Sequence, residues 1–248
     1  LSALEWVELA DTEIKEIGFL KGLKLKGLNL ANSLVSDLTP VEDQPIWNLD
    51  ITGLPIQDIS NLSKMPLTTL RMGNTKALNL EPLKNKKLEW LSIWQTGIKS
   101  LKEVKSQPLI HLDIENTLIT DLSDLVGSSV QRLYIDSECF DEKNIAIINQ
   151  LNLQFLSVKS YKDQLFKNST EKVFFVKITS SSLTELNYLN FKNILELDLS
   201  QCTKLQSFKG LTSAPTIERV SLPAGIKNYS VLNTLPKLKE VITPELGP

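Results

Sequence analysis

Apolar residues return along the first half of this chain with the spacing apolar-x-x-apolar-x-apolar, once every 21 positions. Within one motif, Leu112 and Ile114 alternate with Asp113 and Glu115, which is the pattern of a strand with one buried face. Further apolar residues follow at spacings of two to three, which suits a tight 3₁₀-like turn better than an α-helix. The motif begins, without a slip, at Leu4, Leu25, Ile46, Leu67, Leu88, Leu109 and Val130.

A fixed repeat of about 20–29 residues with this spacing is typical of a leucine-rich-repeat solenoid. Each unit buries its leucines only against its neighbours, so parallel strands lie on one face and short turns lie on the other. The predicted fold is therefore an α/β leucine-rich-repeat solenoid, a right-handed superhelix. We expect its strands on the concave face and its 3₁₀ turns on the convex face.

Polar residues at fixed places in the unit are expected to close its bends. Asp37, Asp58 and Asp121 precede the apolar residue that opens the return turn, where a carboxylate can cap that turn. The ninth position carries a hydroxyl that can hydrogen-bond backbone groups of the bend. The residues at this position are Thr12, Ser33, Thr75, Thr96 and Thr117. We interpret both sets as structural.

The regular pattern changes after the seventh unit. Residues 141–151 predict a helix, because Asp141 can cap its start and Ile145, Ile148 and Leu151 fall on one face. The motif then resumes with spacings of 20 to 23 residues, which brings the total to twelve units. These later units begin at Leu153, Val173, Ile194, Ile217 and Leu238.

The organisation that follows has three parts. Residues 1–136 are predicted to form regular repeats, and residues 137–172 an irregular helical joint or cap-like segment. Residues 173–248 are predicted to form degenerate repeats that continue the first array. Whether the stack passes straight through the joint or bends there stays open at this stage.

The stretch PLTTLRMGNTKALNLEPL, followed by LEWLSIWQTGIKSL and PLIHLDIENTLITDLSDL, resembles short bacterial leucine-rich repeats and is similar to internalin-type repeats. The resemblance covers residues 4–168 well and residues 173–248 more loosely. It implies a binding or sensing module inside a larger bacterial protein, with a kinase domain or membrane helix as expected companions. It also implies that FDEKNIAIINQLNLQFLSVKSYKDQLF closes the array with a helix, a strand and another helix, although four more units follow here.

Composition removes several classes of partner. The net charge is −2 and the pI is near 5.6, so no nucleic-acid partner is expected. No apolar run approaches the roughly 18 residues of a membrane helix, so direct membrane insertion is not expected either. The chain starts at Leu1 without a Met, a basic n-region or an apolar h-region, so we expect either a mature piece or an excised part of a larger protein. A periplasmic, cell-surface or secreted location is favoured over a cytoplasmic one.

The two cysteines are predicted to be structural thiols. Cys139 and Cys202 lie three units apart, and strands stack at ~4.8 Å, so a separation of about 14 Å is expected. That is beyond the reach of a disulfide, whose Cα atoms must approach within about 7 Å. Cys202 also occupies the ninth position of its unit, where a small side chain lies inside the turn.

The third, fifth and seventh residues of each unit are expected to project from the strand face. From the fourth unit to the seventh these residues are large, aromatic and of mixed charge, which is the composition of a protein interface. We expect Trp90 and Trp94 to be exposed; the alternative is that neighbouring side chains or the curvature of the solenoid shelter them. The predicted partner-binding residues are Arg71, Trp90, Trp94, His111, Asp113, Glu115, Arg132 and Tyr134.

Chemistry is a weak alternative for this face. His111, Asp113 and Glu115 point the same way, but alternate residues on a strand lie about 6.5–7 Å apart, a wide base for a metal with ~2 Å bonds. The same two carboxylates on a shallow face have neither the pKa tuning nor the water exclusion of a glycosidase. The sequence also has no P-loop and no G-x-S-x-G, HRD or DFG motif. We predict a non-enzymatic protein without a metal or cofactor.

The predicted function is recognition of an unidentified protein ligand through the concave strand face. A carbohydrate-binding surface is one alternative, because exposed tryptophan pairs also stack on sugar rings. A purely structural spacer without any ligand is the other.

Overall fold

The computed structural model describes residues 4–161, 173–189 and 193–244. The chain divides into two compact units, Leu1–Ser129 and Val130–Pro248. Over the described residues, each of twelve short parallel strands begins two residues after the start of one predicted repeat. The prediction of a leucine-rich-repeat solenoid with twelve units is therefore confirmed.

The first unit contains six strands that pair in chain order. Each residue pairs with the residue 21 positions later, as Trp90 does with His111. The strands are β1 (Trp6–Glu8), β2 (Gly27–Asn29), β3 (Asn48–Asp50), β4 (Thr69–Arg71), β5 (Trp90–Ser92) and β6 (His111–Asp113). The return segments contain 3₁₀ helices at Gly18–Leu20, Thr39–Val41, Ser60–Lys64, Glu81–Leu83 and Ser123–Leu125.

The core of the first unit is built from the apolar positions of the motif. Leu88, Leu91 and Ile93 are the first, fourth and sixth residues of the fifth repeat, and all three are fully buried. The same positions of the neighbouring repeats stack against them, because the strands pair in register. The core is therefore a set of leucine and isoleucine columns beneath the sheet.

In each of the first six repeats, the eighth residue turns the chain away from the strand through the left-handed region of φ. In the first repeat Asp11 has φ 57°, and in the second Asn32 has φ 55°. Glycine and asparagine tolerate this conformation best, which explains their frequency here. The series continues through Gly53, Asn74, Gln95 and Asn116, with φ between 54° and 76°. The sequence interpretation did not identify this requirement.

The predicted structural roles of the ninth-position threonines and of the aspartates are confirmed. Thr75 Oγ1 donates to the carbonyl of Met72 at 2.8 Å, and Thr12, Thr96 and Thr117 repeat this contact in their own bends. Each aspartate accepts a hydrogen bond from the backbone N–H two residues later, at 2.8–2.9 Å. For Asp37 this contact with Thr39 lowers the pKa of the carboxyl.

Buried glutamines join successive repeats of the first unit on the return side. Gln107 Oε1 accepts from the N–H of Leu88 at 3.1 Å, and its Nε2 donates to the carbonyl of Leu83 at 2.8 Å. Gln44 makes the same pair of contacts with the preceding repeat. These side chains satisfy backbone groups that the short return turns leave unpaired.

The second unit has six strands and one α-helix among its described residues. The strands are β7 (Arg132–Asp136), β8 (Phe155–Lys159), β9 (Phe175–Thr179), β10 (Glu196–Asp198), β11 (Arg219–Ser221) and β12 (Glu240–Ile242). They are parallel and pair in chain order. Their spacing is less regular because the return segments differ in length.

The predicted helix after the seventh repeat is confirmed as α1, Glu142–Ile148. Asp141 caps it by accepting from the N–H of Asn144 at 2.8 Å. It is shorter than the predicted 141–151, and Asn149 closes it. The second helix implied by the resemblance would follow β8 at the end of that segment, and residues 162–172 lie outside the described residues. The three-part organisation, with its continuity through residues 137–172, stays a prediction.

Both cysteines are buried and unbridged, as predicted. Cys202 Sγ donates to the carbonyl of Ile178 at 3.3 Å. Burial raises the pKa of the Cys202 thiol to about 11 and that of Cys139 to about 12. Neither side chain is suited to act as a nucleophile. Within the described ranges, none of the helices has the length and apolar character needed to cross a membrane.

Replacing Gln107 tests the role of the buried glutamines. Gln107→Ala leaves the Leu88 N–H and the Leu83 carbonyl unsatisfied in the interior, so it should lower the free energy of unfolding by about 1–3 kcal/mol. Urea denaturation followed by circular dichroism measures this difference. Gln57→Ala, at an exposed position, is the matched control and should change stability by less than about 0.5 kcal/mol. Equal stability of the two variants would contradict the assignment.

Candidate functional site

Three predicted site residues of the first unit form one continuous stack on the strand face. Arg71 places its Cζ 5.0 Å from the ring centroid of Trp90. The rings of Trp90 and His111 are parallel to within 8°, with their centroids 3.6 Å apart. A cation, an indole and an imidazole on β4, β5 and β6 therefore contact one another in sequence.

The strand register produces this stack. Trp90 and His111 are direct partners across β5 and β6, both at the third position of their repeats. Neighbouring strands lie about 4.8 Å apart, so two flat side chains at the same position can stand side by side and stack. Arg71 lies diagonally from Trp90, two residues beyond its partner Thr69, and its long side chain spans that offset.

The expectation that Trp90 and Trp94 are exposed is wrong. Both indoles are half-buried, and His111 is only 6% exposed. Arg71 and His111 come from the strands on either side of Trp90 and cover its two faces. The alternative, in which neighbours shelter the tryptophans, is what the structure has. His111 therefore supports Trp90 and offers almost no surface of its own to a partner.

Trp94 owes its position to a missing side chain. Its indole lies over Gly73, which is the seventh residue of the preceding repeat. Gly73 is buried. A Cβ on Gly73 would stand 2.2 Å from Trp94 Nε1, closer than non-bonded atoms approach. Glycine is thus the residue that lets the ring lie flat on the sheet here.

The carboxylates beside the stack have structural contacts. Asp113 Oδ2 accepts from the hydroxyl of Ser92 at 3.0 Å, and its Oδ1 accepts from the N–H of Glu115 at 3.2 Å. Both oxygens of Asp113 are therefore engaged in holding β5, β6 and the bend. Within the described part of the chain, no group of three His, Cys, Asp or Glu residues is arranged to hold a metal ion.

Arg132 and Tyr134 belong to the second unit and have surroundings of their own. Arg132 Cζ lies 4.8 Å from the ring centroid of Phe155, and the Tyr134 ring lies 4.8 Å from the same ring. Phe155 also contacts Phe175 edge to face, at 4.9 Å. The two predicted residues are thus part of an aromatic cluster on β7, β8 and β9, which the sequence interpretation did not describe.

The sequence interpretation also missed an aromatic pair in the first unit, because it placed the aromatic surface on the fourth to seventh repeats. Trp6 and Trp47 meet edge to face with ring centroids 5.3 Å apart. The Trp6 ring lies over Gly27, as Trp94 lies over Gly73. A tryptophan and a glycine 21 residues apart on the strand face are the sequence signal that could have identified the packing of Trp6 and of Trp94.

Comparison with known proteins bears on the fold. An internalin, inlF, from Listeria monocytogenes is 17% identical to this chain; the match covers 97% of this chain and 87% of that one, with a TM-score of 0.57. This chain has an internalin-type leucine-rich-repeat fold. At this level of identity the likeness concerns the fold alone.

Two further Listeria monocytogenes structures match less closely. Internalin C2 is 18% identical, with a TM-score of 0.43 over 96% of this chain and 80% of that one. The functional domain of InlJ is also 18% identical, with a TM-score of 0.42 over 89% and 63%. No protein-family model and no curated protein sequence matches the chain.

The contact between Trp94 and Gly73 can be tested by a double-mutant cycle. Gly73→Ala should destabilise the protein by about 1–3 kcal/mol, because the new methyl group displaces the indole. In a Trp94→Ala background the same change should cost almost nothing, since the ring it strikes is absent. Urea denaturation of the four proteins measures the coupling. Additive effects of the two substitutions would contradict the proposed packing.

Proposed function

We propose that this chain is a non-catalytic protein-binding or sensing module, and that the strand face of its first unit carries the binding surface. The observation that supports this most directly is the stack of Arg71, Trp90 and His111 with Trp94 beside it. Its indoles are half-buried, so part of each ring is accessible, and they are already held in place. Tryptophan and arginine are the residues that most often dominate the binding energy of interfaces.

The arrangement reduces the cost of binding. A long side chain that becomes fixed on association loses about 0.5–1.5 kcal/mol of entropy. Trp90 is clamped between two neighbours, and Trp94 lies on the backbone of Gly73, so both rings have lost most of their freedom before a partner arrives. We therefore expect these two residues to contribute more binding energy than the small exposed area of their rings suggests.

Charges around the stack give the surface its selectivity. Arg71 provides a cation at one side, whereas Asp113 and Glu115 provide carboxylates at the other. Mixed charge beside an aromatic centre favours a partner with the complementary pattern and disfavours others. In the second unit, Arg132 and Tyr134 combine a cation with aromatic rings in the same way.

The carbohydrate alternative needs a tryptophan with an open face. Trp90 does not offer one, because Arg71 and His111 occupy its two sides. This coverage favours a protein partner, which can use the edges of the stack together with the flanking charges. The alternative of a ligand-free spacer predicts no dependence on either tryptophan.

The setting of the module is also part of the proposal. We place it in a larger bacterial protein, at the cell surface, in the periplasm or in the secreted fraction. A kinase domain or a membrane helix elsewhere in the parent chain would make this module a sensor. A parent chain with neither would make it a secreted binder.

The proposal is tested by binding to an array of purified extracellular proteins. Trp90→Ala and Trp94→Ala should each weaken a genuine interaction by at least about 2 kcal/mol, roughly thirtyfold in Kd, because each removes a fixed aromatic anchor. Phe19→Ala is the matched control, since Phe19 is 60% exposed but lies on a return segment, and it should leave the Kd unchanged. Thermal denaturation of each variant establishes that it is folded.

Other outcomes point to the alternatives. Binding on a glycan array that disappears in Trp94→Ala would establish a carbohydrate site. Interactions and phenotype that are unaltered in the combined Trp90→Ala and Trp94→Ala variant would establish a spacer.

A further inference from the structure

A second aromatic surface lies on the early repeats of the first unit, away from the stack on β4–β6. It consists of Trp6 on β1 and Trp47, which directly precedes β3. We propose that this pair binds an arginine side chain from an extended, basic segment of a protein partner. This inference rests on the proposed protein-binding function and adds the chemical class of what is bound.

The pair is exposed and yet well defined in geometry. Trp6 is 49% exposed and Trp47 is 38% exposed, in contrast to the half-buried Trp90 and Trp94. Their planes cross at 88°, so the two indoles form a corner. Gly27 provides the floor, because a Cβ there would stand 2.0 Å from Trp6 Cε3. The corner is therefore held by the backbone of β2 and does not depend on a flexible neighbour.

Two other strand-face aromatics of this chain are covered by an arginine. Arg71 lies over Trp90 at 5.0 Å, and Arg132 lies over Phe155 at 4.8 Å. Over the residues that the structure describes, no arginine or lysine covers Trp6 or Trp47. Lys26, which directly precedes β2, is instead held by Glu5 at 2.7 Å. The corner thus has the aromatic half of a cation–π contact without the cation.

Carboxylates beside the corner supply charge complementarity. Glu8, Asn29 and Asp50 form one row across β1, β2 and β3, at the fifth position of their repeats. This row lies two residues along the strands, about 7 Å, from the row that holds Trp6 and Gly27, and its side chains are on the same face. Glu8 accepts from Asn29 Nδ2 at 2.8 Å, and Asp50 accepts from the N–H of Thr52 at 3.0 Å.

Glu8 is the carboxylate of this row without a cationic cross-strand neighbour, because Asp50 lies directly opposite Arg71 of β4. Among the described residues, no lysine, arginine or histidine forms an ion pair with Glu8 or Asp50, since the Arg71 guanidinium lies over Trp90, whereas Lys26 and Glu5 cancel each other. Glu8 therefore places a negative charge next to the two exposed indoles. A guanidinium suits this combination better than an ammonium, because it is planar, weakly hydrated and stacks on indoles.

The experiment uses a fluorescein-labelled Gly-Ser-Arg-Gly-Arg-Ser peptide and measures its anisotropy with the whole chain at low ionic strength. Citrulline in place of both arginines keeps the shape and removes the charge, so it should weaken binding by about tenfold. Trp6→Leu and Trp47→Leu should each weaken binding of the arginine peptide by a similar factor.

Conservative variants separate binding from folding. Glu8→Gln and Asp50→Asn preserve the local hydrogen bonds as acceptors, and should weaken binding several-fold while reducing its dependence on salt. Phe19→Leu, which alters a still more exposed aromatic residue on a return segment, is the matched control and should leave binding unchanged. Circular dichroism establishes that each variant is folded.

The inference would be overturned by the absence of saturable binding at millimolar peptide. Equal binding of the citrulline peptide, or full binding of the arginine peptide by both tryptophan variants, would also overturn it. Occupation of the corner by a sugar, or by a second copy of this chain in sedimentation, would overturn it as well. These outcomes are distinguishable from failure of the proposed function, which is measured on Trp90→Ala and Trp94→Ala with protein ligands.

Discussion

Parallel strands that pair in register bring the same position of successive repeats to within about 4.8 Å of each other. Within each of the two units, every structural column follows from this pairing. Beneath the sheet it stacks leucines and isoleucines into a core. At the bends of the first unit it aligns the left-handed eighth residues, so that Asn32 donates to Asp11 at 2.9 Å. On the strand face it sets Trp90 against His111. One constraint thus determines both the stability of the unit and the arrangement of its surface.

The strand face differs from the core in how tightly the sequence determines it. A core column needs only apolar residues. The 21-residue period of the first repeats therefore predicts which residues form it, and every strand begins where the motif places it. A surface column depends on which side chains happen to be neighbours. Arg71 can reach Trp90 only because its length spans a diagonal, and Trp94 can lie flat only because Gly73 lacks a Cβ.

This difference explains what could be predicted from the sequence and what could not. The strands, the threonine contacts, the aspartate caps and the helix capped by Asp141 depend on local chemistry, and all were predictable. The burial of Trp90 depends on side-chain contacts between three strands, so a position-by-position interpretation wrongly expected it to be exposed. Trp47 was missed because it occupies the second position of its repeat, which does not belong to the projecting set of third, fifth and seventh residues.

The central claim is that register creates the stack of Trp90 on His111, and this stack can be measured directly by proton NMR. His111 is the only histidine in the chain, so its imidazole C–H signals need no elaborate assignment. With the rings parallel and 3.6 Å apart, the indole should shift these signals well upfield of their positions in the unfolded protein. Trp90→Leu should return them most of the way. Imidazole signals that lie at their unfolded positions in the native protein, or that do not respond to Trp90→Leu, would contradict the account.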